Sequence, residues 1–216
     1  MIKSFDFYFD FISPYSFLAH KEIIKIERVN SIKIKYKPIL LGGLHNLHGI
    51  KAPAFIPAKA KHMIRDCKLI AEKKKINFKF NSYFPIKSLN LMRGVLVAEE
   101  DNFKSYYIDS IFNSIWQDGL NMNDDNIIQK VLKNLNVNPK TFALRVTSSS
   151  IKESLSSFQN LLLEETNKVL QSTNKDESLK LFVQNFENKY SQLIQPFNSI
   201  ISSSEETASM RVSVSN

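Results

Sequence analysis

The sequence has a single cysteine, Cys67, in 216 residues. One thiol cannot close an internal disulfide and cannot supply a cysteine-based metal site. Its isolation is compatible with a reducing compartment. Histidine is also scarce, with four residues: His20, His45, His48 and His62. His45 and His48 stand three apart in a glycine-flanked loop, but no third ligand lies close in sequence, so no metal is expected. No apolar run approaches the ~18 residues needed to span a bilayer. The opening Met1-Ile2-Lys3-Ser4 leads into an aromatic run containing Asp6 and Asp10, which does not read as a signal peptide. A soluble cytoplasmic protein with no membrane partner is the expectation. Glycine is limited to five residues, with none after Gly119.

What is present is an apolar fraction of 43%, enough for a packed core. The formal net charge is +8. A basic balance suits nucleic acid or a small anion. The lysines are spread along helix-like patterns, and Lys73-Lys74-Lys75 suits the C-terminal end of a helix dipole. Nucleic acid is not expected, and a positive field equally suits an anionic small-molecule substrate.

Phe5 to Phe11 alternates aromatic and polar residues, the pattern of a strand with one packed face. Asp6 and Asp10 fall on the face opposite the phenylalanines, which predicts solvent. Ser13-Pro14 then breaks the strand, and Tyr15, Leu18, Ala19, Ile23 and Ile26 recur at helical spacing. Serine favours the N-cap and proline the first turn. Ile32 to Lys37 alternates again. The sum is a β-α-β unit, which implies a parallel pair. A loop is expected from Pro38 to about Lys59. Helices are expected from Ala60 to Ala71, from Ser88, over Asn102–Gln117, over Asp124–Asn134 and from Asn138-Pro139 to Val146. Beyond that, Leu155, Phe158 and Leu162, and then Leu179 to Phe197, keep helical spacing. Ser202 to Asn216 is serine-rich and expected to be frayed, with a weak alternation at Met210–Val214.

Ser13 is the principal candidate for chemistry. A helix N-terminus gathers unpaired amides and the positive end of the dipole, which stabilises a thiolate. Ser13 and Ser16 stand where a Cys-X-X-Cys pair would put its sulfurs, so a thiol–disulfide oxidoreductase is disfavoured. A hydroxyl there can donate to a thiolate supplied by another molecule, or it can serve only as a cap. Lys59, after Pro57-Ala58 at a helix entrance, can neutralise a ligand carboxylate or be merely solvated. Arg93 can pair with an acid or with a substrate carboxylate. Trp116 reads as core.

The run Phe7-Tyr8-Phe9-Asp10-Phe11-Ile12-Ser13-Pro14-Tyr15-Ser16-Phe17-Leu18-Ala19 resembles the opening of the 2-hydroxychromene-2-carboxylate isomerases. These group with kappa-class glutathione transferases and DsbA-like proteins. Lys37 to Leu44, Pro57-Ala58-Lys59, Arg65-Asp66, Phe84 to Leu89, Met92-Arg93 and Ile115-Trp116 continue the likeness in order, over residues 1–155. The resemblance implies an α/β fold, thioredoxin-like, with an all-helical insertion at about 60–146. It implies glutathione as cofactor and Ser13 as the residue assisting its sulfur. Pro14, Tyr15, Ile50 and Lys59 would lie around the glutathione, and Arg93 would meet the substrate. The implied substrate is a small aromatic carboxylate, a cyclic chromene interconverted with an open-chain unsaturated pyruvate, with glutathione returned unconsumed. A homodimer is left open. The family closes its sheet with a Gly-Val-Pro-Thr-Phe-like segment and a strand pair. No such segment is found here, so residues 156–216 are expected to be helical to disordered, with the closing strands missing or replaced. The alternative reading is a non-catalytic thioredoxin-like binding protein with a remodelled C-terminus.

Overall fold

The computed structural model describes residues 3–29, 32–47 and 49–171. The chain divides into two compact units, Met1–Leu161 and Leu162–Asn216. Of the second, the described residues 162–171 belong to the helix that begins at Ser149.

Strand β1 (Lys3–Phe9) pairs in parallel with β2 (Ile32–Pro38), in register from Lys3 opposite Ile32 to Phe9 opposite Pro38. Helix α1 (Pro14–Val29) makes the crossover. The aromatic alternation packs as expected, with the Tyr36 ring edge-on to both Phe7 and Phe9 at 5.4 and 5.5 Å between centroids. The strand stops two residues short of its predicted end at Phe11. At Asp10 the chain turns: its carbonyl accepts the Ser13 amide at 3.1 Å and its side chain accepts the Ile12 amide at 3.1 Å. Asp10 is therefore not on a solvent face. It is 1% exposed, whereas Asp6 is exposed as expected.

The predicted loop from Pro38 to Lys59 contains a seven-residue helix, α2 (Leu41–Leu47), and a 3-10 turn at Pro53–Phe55. Gly42 and Gly43 argue against a helix on propensity, and anchoring by distant residues prevails. The next helix, α3 (Pro57–Lys74), begins three residues earlier than read, with Pro57 in its first turn. It ends in the lysine run, with Lys75 left-handed at φ 54°. Helices α4 (Leu89–Glu100), α5 (Lys104–Trp116), α6 (Asp125–Asn134) and α7 (Pro139–Val146) follow the sequence expectation closely. Asp124 and Asn138 cap α6 and α7 by accepting amides two residues on. Helix α8 spans Ser149–Gln171. The expectations for Leu179–Phe197, Met210–Val214, the frayed end and the closing strands lie outside the described residues.

The core of the first unit lies where α4 and α5 meet the β-α-β unit. Phe9, Phe11, Phe17, Met92, Val95, Phe112 and Trp116 are almost fully buried together. Trp116 is a core residue, as read, but its indole N–H also donates to the Phe11 carbonyl at 2.8 Å. The Phe11 amide in turn points at the Met92 sulfur at 3.4 Å. Both main-chain groups of Phe11, two residues before Ser13, are thus fixed from the helical layer.

His20 is 3% exposed on α1. Its Nδ1 lies 2.8 Å from the Tyr36 hydroxyl and its Nε2 3.2 Å from Asp109, which also takes the Lys21 ammonium at 2.6 Å. Burial holds the His20 pKa below its usual value, and its hydrogen bond holds the Asp109 carboxyl well below the usual range. The unfolded chain accepts a proton on this histidine near pH 6.5 that the folded chain refuses. Stability from His20 is full above that pH and is lost progressively below it, and that from Asp109 is lost only below about pH 4. Burial raises the Asp10 carboxyl, which works in the opposite direction. The diagnostic is therefore the difference between parent and His20→Gln in denaturant unfolding from pH 7.5 to 5.5. The parent should lose stability relative to the variant as the pH falls, and parallel curves would contradict the assignment.

Candidate functional site

Ser13 sits at the start of α1, where its Oγ accepts the Ser16 amide at 3.2 Å and its carbonyl accepts the Phe17 amide at 3.2 Å. It is a helix cap. Because the hydroxyl oxygen accepts in that bond, its own hydrogen is left to donate outward. Capping and donation to a ligand are compatible at this residue.

Outward from Ser13 lies a cleft of about 600 Å3. Ile12, Ser13, Pro14 and Tyr15 form one wall. Leu41, Gly42 and His45 of α2 form the second. Ala52 to Phe55 and the first turns of α3, with Ala58, Lys59, His62 and Met63, form the third, and Phe84 completes the lining. The lining is mainly apolar. Its ionisable groups besides the Tyr15 phenol are Lys59 and the two histidines, and no lining residue is acidic. Among the described residues, no acid pairs with Lys59. A cleft that is apolar, basic at its polar points and open to a helix N-terminus suits an amphipathic anion.

Tyr15 donates its phenol to Asp66 on α3 at 2.8 Å, which ties α1 to α3 across the cleft wall. Burial and this bond push its pKa up, so it remains protonated. Cys67 lies beside this pair and is fully buried. Burial pushes its thiol up to about 12, so it is neither an accessible nucleophile nor a redox centre at neutral pH.

Of the residues singled out from sequence, Ser13, Pro14, Tyr15 and Lys59 meet in the cleft. Ile50 does not line it and is 53% exposed. Arg93 does not line it either. It lies on α4, with Nη1 donating to Asn90 at 3.3 Å and Nε buried without a hydrogen-bond partner. His45, read as a loop histidine without a role, lines the cleft, and His48 lies outside the described residues. His62 was missed. Its signal was present, because a helix begun at Pro57 puts positions 59 and 62 on one face. Asp10 and Asp66 were also missed as site residues. Among the described residues, no cluster of three His, Cys, Asp or Glu side chains is arranged to hold a metal. No described helix is long and apolar enough to cross a membrane.

A family model for the DSBA-like thioredoxin domain matches residues 4–164. The chain belongs to that family. Its fold is accordingly the DsbA-like thioredoxin fold, mostly helical around a small parallel sheet. A solved 2-hydroxychromene-2-carboxylate isomerase superposes with a TM-score of 0.69 at 20% identity, covering 88% of this chain and 97% of that one. In sequence, the chain is 29% identical to the 2-hydroxychromene-2-carboxylate isomerase of Sphingobium xenophagum over 128 residues, 58% of this chain and 65% of that protein. It is 40% identical to glutathione S-transferase kappa 1 of Caenorhabditis elegans over 68 residues, 31% of this chain and 30% of that one. The matched portions span less than two thirds of these relatives' own length.

Proposed function

We propose that this DsbA-like chain is a glutathione-dependent enzyme, an isomerase of the 2-hydroxychromene-2-carboxylate type or a closely related transferase, acting on small aromatic carboxylates in the cytoplasm. The observation that carries the reading is the Ser13 hydroxyl, held by the Ser16 amide at the N-terminus of α1 and facing an apolar cleft with no acidic lining residue. The relatives' names, isomerase and glutathione S-transferase, support the choice of chemistry. Bound glutathione would supply a thiolate as nucleophile. The groups in the cleft fit such a molecule: Ser13 donates to sulfur, the α1 dipole favours negative charge there, and Lys59 is placed for a carboxylate. The buried Cys67 cannot compete for that role. The apolar walls at Leu41, Phe55, Met63 and Phe84 are suited to an aromatic substrate.

A thermal-shift titration with glutathione tests the reading, since a ligand of the native state at a hundred times its Kd adds about 2.7 kcal/mol. No shift at millimolar glutathione sinks it. Ser13→Ala should lose about 1 kcal/mol of stability with the helix cap, and the folded variant's glutathione-dependent turnover should fall about ten- to a hundredfold, corresponding to the ~1.5–3 kcal/mol of a hydrogen bond to a charged group. Equal turnover would reduce Ser13 to a cap. Ser13→Cys should give a thiol that reacts with a disulfide reagent in the folded protein while Cys67 does not.

A further inference from the structure

Asp10 is buried in the wall behind the cleft, and its side chain reaches three segments at once. One oxygen accepts the Ile12 amide at 3.1 Å, in the turn that carries Ser13. The other accepts the Leu41 amide at 2.8 Å, at the first residue of α2. The Ser88 side chain, at the start of α4, lies beside it as well. The first residue of a helix has no partner for its amide within the helix. A carboxylate on that amide is a cap supplied from 31 residues away, and it also complements the dipole. Helix α2 has Gly42 and Gly43 in its first turn and only seven residues, too few to hold itself together. Gln159 of α8 adds a second restraint, donating to the Leu40 carbonyl at 3.3 Å.

We infer that Asp10 is the positioning residue of the cleft: its two carboxylate oxygens clamp the Ser13 turn to α2 and so set the distance between the two walls. The residue type follows from the geometry. Two main-chain N–H groups approach two different oxygens, so both must be acceptors. Asparagine has the same shape but offers one acceptor, and its NH2 would face one of the two amides. Asp10 touches neither ligand nor reacting atom and acts through Ser13 and α2. The ligand arm of this inference rests on the proposed use of glutathione, whereas the clamp itself does not.

The test compares parent and Asp10→Asn by calorimetric titration with glutathione and by hydrogen exchange. The expected result is a melting temperature near the parent's, exchange in α4 and α5 unchanged, exchange at Ile12 and Leu41–Leu47 faster by tenfold or more, and glutathione bound roughly tenfold more weakly, the effect of losing one hydrogen bond to a charged acceptor. A residue that merely fills the core would alter global stability without this local change. Glutathione affinity equal to the parent's overturns the positioning role, and so does unchanged exchange over Leu41–Leu47. Should Asp10→Asn not fold, exchange in the parent decides: Ile12 and Leu41 amides protected well beyond free-peptide rates support the clamp, and free-peptide rates at both overturn it. A parent that binds no glutathione refutes the proposed function, and the exchange measurements then decide the clamp alone.

Discussion

Gly94→Ala is expected to destabilise the protein severely, although alanine is the better helix former by about 1 kcal/mol. Gly94 lies in α4, where a Cβ would collide with the Tyr107 hydroxyl, stand 2.7 Å from Tyr107 Cζ and stand 3.0 Å from Phe142 Cζ. Tyr107 cannot swing aside. It is 1% exposed, its hydroxyl donates to the Leu91 carbonyl at 3.0 Å, and its ring packs on Phe142 at 5.5 Å between centroids. Relief requires α4 and α5 to separate, which strips neighbouring core contacts, and forced overpacking of this kind costs roughly 1–3 kcal/mol or more. With typical domain stabilities of about 5–15 kcal/mol, that is a large fraction. Denaturant unfolding should show the loss. Combining Gly94→Ala with Tyr107→Phe, which removes the colliding oxygen, should recover part of it, so that the pair is less destabilised than the sum of the singles. Strict additivity would show that the close approach is not the cause.

Trp116→Ala should cost more still. The side chain is fully buried, it is stacked on Phe78 at 6.0 Å and edge-on to Phe80 at 5.6 Å, and it holds the Phe11 carbonyl. Truncating a buried large aromatic costs about 3–5 kcal/mol, and a buried carbonyl left without its donor adds about 1–3 kcal/mol. Trp116→Phe separates the two contributions. It keeps much of the packing and loses the indole N–H. The Phe variant should therefore fold with a lowered melting temperature while the Ser13 turn loosens, seen as faster exchange at Ile12. If Trp116→Phe melts like the parent, the hydrogen bond to Phe11 does not matter for stability.

The β-α-β unit was legible because its determinants are local: aromatic alternation, a Ser-Pro break, then apolar residues at helical spacing. The helix starts at Asp124 and Asn138 were legible for the same reason. What escaped was set by residues far apart in the chain. Helix α2 looks like a loop because its two glycines disfavour it, while what holds it is a carboxylate 31 residues earlier. Asp10 departs from the expected solvent face because the alternation ends at Phe9, where the strand turns. Within the site, Ser13, Pro14, Tyr15 and Lys59 converge in the cleft, since each sits at the start of a helix whose opening could be recognised. Arg93 matched a motif in order along the chain and Ile50 was implied only by the family resemblance, but neither fixes the direction of a side chain, and neither residue lines the cleft. His62 shares a face with Lys59 once α3 is begun at Pro57, whereas His45 depends on how α2 packs, which no local spacing reveals.

The bond from Trp116 to Phe11 joins residues 105 apart, and this has a consequence for biosynthesis. The segment bearing Ser13 leaves the ribosome early and can pair β1 with β2 at once, but the turn behind Ser13 has no indole to hold it until α5 has been made. At about 5–20 residues per second, the 78 residues from Pro38 to Trp116 take roughly 4–16 s, an interval with a formed β-α-β unit and an unfinished site. During that interval the aromatic face of β1 is uncovered, because Phe112 and Trp116 have yet to arrive. Ribosome-bound chains stopped before α5 should therefore expose apolar surface to holding chaperones, and chains extended past the α5–α6 connection should be released from them.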